Sequence, residues 1–180
     1  NGDGVVDDND RDIIGNPNPD FTYGFQTKVS WKSLSLSASF NGVQGRDILN
    51  VGNRYNNTPG TKSNNVTRKA FQNMWTDENP SNLYPKSTFV VQNMVMDRYV
   101  EDGSYLRCSD ITLSYILPAK WTNKIGIKNT SVYASVKNAF VITDYSGYDP
   151  EVNSFAFDGL RPGVDMNSYP TPRSFVFGLN

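Results

Sequence analysis

Apolar and polar residues alternate along residues 21–40, "FTYGFQTKVSWKSLSLSASF", and the alternation turns back on itself at Lys32 and Ser33. Successive side chains of a β-strand point to opposite faces, so this pattern predicts two antiparallel strands joined by a two-residue turn. That turn length sets which residues face each other across the hairpin. The predicted pairs are Trp31 with Leu34, Val29 with Leu36, and Phe25 with Phe40.

The two faces of this predicted hairpin differ in chemistry. One face carries the large apolar side chains, whereas the other carries Gln26, Lys28 and a row of serines. The solvent face of a soluble sheet is usually charged, while small hydroxyl groups suit the lining of a wide, water-filled or plugged barrel. We therefore predict that the apolar face contacts lipid and that the polar face lines a lumen.

Further strands follow along the chain, at 110–117, 131–142 and 174–180. The connections between strands alternate in length, being short at 32–33 and 118–129 and long at 42–103 and 143–173. Short turns at one end and long loops at the other are typical of outer-membrane barrels. Trp31 and Trp121 lie beside or within the short connections, where interfacial aromatic residues are expected.

The predicted fold is all-β, with antiparallel strands that come from the carboxyl-terminal part of a larger transmembrane β-barrel. Five strands cannot close such a barrel and would leave two bare edges. The predicted segments are a loop end at 1–20, a hairpin at 21–41, an extracellular loop at 42–103, a strand pair at 104–142, an extracellular loop at 143–173 and a last strand at 174–180. The alternative is a small soluble β-sandwich, which leaves the serine-rich face and the alternating loop lengths without a reason.

The composition narrows the possible functions. The chain has 37% hydrophobic residues, 14 Gly and 10 Pro, which fits a loop-rich all-β protein. A net charge of −1 does not indicate a nucleic-acid partner. The sequence has no histidine, the usual general base, and it shows no nucleophile–base pairing, so we predict no enzyme. The single cysteine, Cys108, excludes a disulfide within the chain and is expected to be a small strand residue.

The amino-terminal stretch "NGDGVVDDND" has the spacing of a calcium-binding loop. When Gly4 is aligned with the sharp-turn glycine of such a loop, alternate residues supply oxygen ligands. The candidate Ca²⁺ ligands are Asn1, Asp3, the Val5 carbonyl, Asp7 and Asp10. The first two positions of the loop would precede Asn1. A surface turn rich in Asp, Asn and Gly, without a metal, is an equally good interpretation.

Two of the predicted loops carry candidate contact residues. Trp75 and Tyr84 lie in an Asn-rich segment, and aromatic rings beside amides can hold a sugar, although packing within the loop is the simpler interpretation. Asp149 and Glu151 flank a proline, where they are expected to brace the loop rather than to form an acid–base pair. A short one-sided helix is also predicted in the first of these loops, with Val66, Ala70, Phe71 and Met74 on its apolar side.

Six segments, in this order and spacing, resemble the end of SusC/RagA-family TonB-dependent outer-membrane transporters. They are "NGDGVVDDNDRDIIGNPNPDFTYGF" (1–25), "FNGVQGRDILN" (40–50), "MWTDENPSNLYPK" (74–86), "VEDGSYLRCSDITLSYILP" (100–118), "VKNAFVITDYSGYDPEV" (136–152) and "YPTPRSFVFGLN" (169–180). No single segment is specific, but together they identify the family. Its members typically continue a few residues beyond "FGLN" to an aromatic residue, whereas this sequence stops at Asn180.

The resemblance implies a barrel of about 22 strands in the bacterial outer membrane, with extracellular loops. It implies a SusD-like surface lipoprotein as partner, and a TonB system acting through an amino-terminal plug that this sequence lacks. The ligand would be an oligosaccharide, or a peptide in RagA-like members. Candidates for contact with substrate or partner are Trp75, Tyr84, Tyr148 and Asp149. The alternative function is that of a secreted, calcium-dependent carbohydrate-binding β-sandwich.

Overall fold

The computed structural model describes residues 7–58, 65–87, 95–123, 126, 130–151 and 153–180. They belong to two compact units. The loop unit comprises 1–18, 47–101 and 153–168, and the sheet unit comprises 19–46, 102–152 and 169–180. Each unit therefore gathers segments that are far apart in the sequence, and we describe each by itself.

The described residues form eight strands and several short helices, which are numbered along the chain. The strands are β1 (Phe21–Trp31), β2 (Leu34–Gln44), β3 (Asp47–Asn50), β4 (Val100–Asp102), β5 (Tyr105–Ile116), β6 (Ser131–Thr143), β7 (Val164–Asp165) and β8 (Ser174–Leu179). The α-helices are α1 (Val51–Asn57), α2 (Arg68–Asn73) and α3 (Ala119–Thr122), and Asp8–Asp10 and Asp97–Tyr99 form 3₁₀ turns.

The sheet unit contains a five-stranded sheet in the order β1-β2-β5-β6-β8, in which every neighbouring pair is antiparallel. The hairpin register is the predicted one, with Trp31 opposite Leu34. Lys32 has a φ of 53°, which is the positive value that two-residue hairpin turns need at their first position. The alternation in β1 and β2 therefore places their apolar residues on one face and their serines on the other.

Two β-bulges interrupt the centre of this sheet. The register shifts between Ser39 and Phe40 where β2 meets β5, and between Cys108 and Asp110 where β5 meets β6. Beyond the shift, Phe40 lies opposite Cys108, which lies opposite Phe140. The Phe40 ring centroid is 6.4 Å from that of Phe140, and Cys108 between them is fully buried. The bulges thus form a tightly packed central row on the apolar face.

The loop unit contains a small sheet in the order β4-β3-β7, in which β3 and β7 are parallel. Ile48 of β3 and Ala70 of α2 are fully buried. The side chain of Thr67 caps α2 by accepting a hydrogen bond from the Ala70 N–H at 3.1 Å. The predicted helix is therefore present over Arg68–Asn73 and buries Ala70, whereas Phe71 of its predicted apolar side is 63% exposed.

Within the described part of the chain, none of the helices is both long enough and apolar enough to cross a membrane.

Candidate functional site

The apolar face of the five-stranded sheet is exposed along most of its area. Phe175 and Phe177 of β8 are 65% and 78% exposed, and Leu36 of β2 is 46% exposed. The other exposed residues of this face include Phe25, Val29, Trp31, Leu34, Leu113, Ile142 and Leu179. A continuous apolar patch of this kind marks a surface for a membrane or another apolar partner.

The opposite face of the sheet is polar, and its groups bond to one another. The hydroxyl oxygens of Ser30 and Ser35 lie 2.9 Å apart across the hairpin. Lys137 Nζ lies 2.6 Å from Asp110 Oδ2, which also accepts a hydrogen bond from the Ser135 hydroxyl at 2.8 Å. A face of paired charges and hydroxyls suits contact with water or with polar protein surface.

A buried ionic cluster lies where β5 begins and is centred on Arg107. Arg107 Nη2 lies 2.5 Å from Asp149 Oδ1, and Arg107 Nε lies 2.8 Å from Glu151 Oε2. The side chains of Arg107 and Asp149 are only 6% and 4% exposed. Tyr105 Oη donates a hydrogen bond to Glu151 Oε1 at 2.5 Å, and Arg46 donates one to the Pro150 carbonyl. The cluster therefore fastens residues 149–151 to the sheet.

Backbone bonds to Asp149 complete this attachment. Its carboxylate accepts hydrogen bonds from the N–H groups of Glu151 and Thr171, each at 3.0 Å. Burial opposes ionisation of Asp149, but these hydrogen bonds and the Arg107 guanidinium together hold its pKa below the ordinary value. Asp149 is thus a charged brace, and this geometry agrees with the bracing role expected from the sequence.

The same loop presents Tyr148 to the surroundings. Tyr148 is 73% exposed, whereas Tyr145 and Asp149 on either side of it are buried. Gly147 packs against the Tyr145 ring, where a β-carbon would lie only 2.3 Å from a ring atom. A fixed segment that exposes the Tyr148 ring is suited to contact with a partner or ligand. Of the two candidates in this loop, Tyr148 is accessible and Asp149 is not.

Trp75 and Tyr84 lie in the loop unit and contact each other through the backbone. The Trp75 N–H donates a hydrogen bond to the Tyr84 carbonyl at 3.0 Å. Lys86 Nζ lies 4.9 Å from the centroid of the Trp75 ring, so this cation covers one ring face. Tyr84 lines a cleft of about 180 Å³. The structure therefore places Tyr84, but not Trp75, in a concave site.

The predicted calcium loop falls largely outside the described residues, since these do not include Asn1, Asp3 and Val5. Asp7 Oδ1 accepts a hydrogen bond from the Asn9 N–H at 2.8 Å, and the Asp7 N–H donates to Asp10 Oδ2 at 3.0 Å. Within the described ranges, no three His, Cys, Asp or Glu side chains come together as metal ligands. These bonds are those of a helix-capping turn, and the calcium site stays a prediction.

The chain is similar in sequence to several TonB-dependent receptors, although no protein-family model matches it. TonB-dependent receptor P26 of Formosa agariphila is 34% identical over 188 residues, covering 100% of this chain and 18% of its own length. TonB-dependent receptor SusC of Bacteroides thetaiotaomicron is 33% identical and matches 100% of this chain, which spans 17% of SusC. The chain thus spans less than a fifth of the length of these curated relatives.

Solved structures agree with this kinship. The RagAB peptide transporter matches with a TM-score of 0.76 and 27% identity, over 93% of this chain and 18% of the matched chain. The RagAB peptide importer in its open-open state matches with a TM-score of 0.71 and 28% identity, over 90% of this chain and 17% of the matched one. The predicted antiparallel all-β fold is confirmed, while the count of about 22 strands stays a prediction. The resemblance inferred from the sequence is confirmed as well: the homologues of this chain are TonB-dependent receptors, SusC among them, and its structural neighbours are RagAB transporters.

Proposed function

We propose that this chain forms part of the barrel wall of a TonB-dependent nutrient importer in the bacterial outer membrane. The observation that carries the proposal is the exposed apolar face of the five-stranded sheet, which lies opposite a face of serines and ion pairs. Each Å² of apolar surface left in water costs about 25 cal/mol, so this face is stable only against hydrocarbon or another apolar surface. The family kinship favours lipid.

The proposed orientation places the short connections at the periplasmic side. Trp31 and Trp121 lie at the two short connections and are 69% and 65% exposed. Exposed tryptophans at one end of a membrane sheet are expected at the headgroup level. The long segments 47–101 and 144–173 would then be extracellular, and so would the Arg107 cluster and Tyr148.

The partners follow from the relatives. The RagAB structures are described as a peptide importer, and SusC and the Formosa proteins are named TonB-dependent receptors. By analogy, we propose a SusD-like lipoprotein over the extracellular segments and an oligosaccharide or peptide as the cargo. Energy would reach the importer through TonB and the plug.

The alternative of a secreted β-sandwich receives less support. A sandwich covers the inner apolar face of each sheet with a second sheet, and its inner residues are buried. Here Phe25, Leu36 and Phe177 are each at least 46% exposed. We therefore do not favour the sandwich.

A gel of the native membrane fraction tests the proposed function. Samples run with and without boiling, with bands identified by peptides of this sequence, should show a species far above 20.1 kDa that shifts on heating. Barrels of this kind resist detergent until they are boiled, which is the physical basis of the shift. A soluble, heat-indifferent species near 20.1 kDa would contradict the importer and favour the binding domain.

A further inference from the structure

A cleft in the loop unit combines cations, phenols and amides. It has a volume of about 180 Å³, which corresponds to about six water molecules and leaves room for a single small chemical group. Its polar lining residues are Asn53, Asn57, Lys69, Tyr84, Arg98 and Tyr99. Both helices of the unit contribute, since α1 carries the two asparagines and α2 carries the lysine.

The two asparagines form a fixed wall of this cleft. Asn53 Nδ2 donates a hydrogen bond to Glu101 Oε1 at 2.9 Å, and Asn53 Oδ1 accepts one from Asn57 Nδ2. Asn57 Oδ1 accepts a hydrogen bond from the Thr67 hydroxyl at 2.5 Å. The amides thus bond within the unit, and the recognition chemistry of the cleft falls to the other polar residues.

The two cations are the groups available to a ligand. Lys69 is exposed, and its ammonium has no ion-pair or hydrogen-bond partner in the part of the chain that the structure describes. Among the described residues, the guanidinium of Arg98 donates one hydrogen bond, from Nη2 to the Leu83 carbonyl at 2.6 Å, and this holds the guanidinium in place. A guanidinium carries five N–H donors, so most of them stay free for another acceptor. The lining includes two cations and, among the described residues, no Asp or Glu.

We propose that this cleft binds a carboxylate of the imported ligand. Oriented guanidinium and ammonium groups recognise carboxylates through charge-assisted hydrogen bonds, and the rings of Tyr84 and Tyr99 supply an apolar wall beside them. The carboxylate belongs to a uronic-acid residue of an oligosaccharide or to the carboxyl terminus of a peptide. This inference rests on the proposed function, because it names the chemistry of the importer's cargo.

Calorimetric titration of the full-length protein in detergent tests the cleft. The probes are trigalacturonate and its methyl ester, and tetra-alanine and its carboxyl-terminal amide. One acidic probe should bind, and its neutral counterpart should bind about tenfold more weakly, because a charge-assisted hydrogen bond is lost. The acid that binds identifies the source of the carboxylate.

Substitutions assign the binding to the two cations. Lys69→Gln should weaken binding of the acidic probe about tenfold, and adding Arg98→Gln should weaken it further. Lys69→Gln is the decisive variant, because Arg98 also bonds to the Leu83 carbonyl and its loss could disturb the loop. Arg68→Gln is the matched control, since this neighbouring exposed cation of α2 is not part of the cleft, and it should bind as the wild type does.

The inference is overturned if neither acid binds, if a neutral probe binds as tightly as its acid, or if Lys69→Gln leaves the affinity unchanged. Binding in detergent needs neither TonB nor a membrane. If the protein is a heat-shifting membrane barrel but binds neither acid, carboxylate binding by the cleft is contradicted and the importer function still stands. A soluble protein that binds an acid through Lys69 would support carboxylate binding in the cleft and contradict the importer.

Discussion

The sheet unit and the loop unit are stabilised in different ways. In the sheet unit, strand pairing orders the backbone, and large apolar side chains such as Phe177 face outward. In the loop unit, a few buried residues such as Ile48 are supplemented by hydrogen bonds from side chains to other chain segments. The stability of the apolar sheet face therefore depends on the medium or surface around it, whereas the stability of the loop unit depends on its own polar contacts. Breaking one kind of contact should leave the other unit intact.

The largest effect is expected at the buried ionic cluster of the sheet unit. Asp149→Asn leaves the Arg107 charge with only Glu151 beside it, and loss of one partner of a buried pair costs about 3 kcal/mol. Urea unfolding of the full-length protein in lipid vesicles measures the change in unfolding free energy. Asp158→Asn is the control, because its ion pair with Arg161 is exposed and should contribute less than about 1 kcal/mol. Equal losses in the two variants would contradict the importance of burial.

The same cluster should make stability fall in acid. The pKa of Asp149 is lower in the folded protein than in the unfolded chain, so its contribution is complete above about pH 4. This contribution is lost as the pH falls through the pKa that Asp149 has in the folded protein, where its carboxylate gains a proton. Unfolding measured from pH 7 down to pH 3 should show this loss in the wild type and a smaller one in Asp149→Asn. Parallel curves for the two proteins would exclude Asp149 as the source.

A charge on the apolar face tests the membrane orientation. Leu36→Arg should lower the unfolding free energy in vesicles by about 2 kcal/mol, because the guanidinium would face lipid. Ser35→Arg, one residue nearer the turn, faces Ser30 and Ser114 on the polar side and should cost less than about 1 kcal/mol. Equal tolerance of both substitutions would count against the proposed orientation.

The smallest effect is expected in the loop unit. Glu101 Oε1 accepts hydrogen bonds from Asn50 Nδ2 and Asn53 Nδ2 at 3.0 and 2.9 Å, so Glu101→Ala removes an acceptor from two amides. The expected cost is about 1 kcal/mol. Hydrogen exchange should quicken in α1 and remain unchanged in β2 and β5. Glu78→Ala, at an exposed position, is the control, and faster exchange in the sheet as well would show that the two units are not independent.

The regular part of the sheet could be predicted from the sequence because a strand has a period of two. Trp31 and Leu34 fix the hairpin register, and the serines then follow on the other face. The prediction fails at the bulges. Arg107 and Asp110 are three residues apart, so simple alternation assigns them to opposite faces, yet the bulge places both on the polar face. Arg107 lay outside the predicted strand, which began at residue 110, and was absent from the predicted site.

The loop unit was not predictable in the same way. Its contacts join residues such as Glu101 and Asn50 that no periodic pattern relates. Tyr84 was expected to contact a ligand because it is aromatic and lies in an Asn-rich segment, and the structure places it in a cleft. Lys69 and Arg98 gave no such signal, since isolated cations in a polar loop usually face solvent. Only the folded backbone brings them together.

Cys108 is the only cysteine of the chain, and its thiol is fully buried in the row formed by Phe40 and Phe140. A maleimide can reach it only when the rings of Phe40 and Phe140 move off the thiol, because these side chains cover it on the apolar face. The rate at which Cys108 is labelled therefore reports how often the side chains of this row move apart.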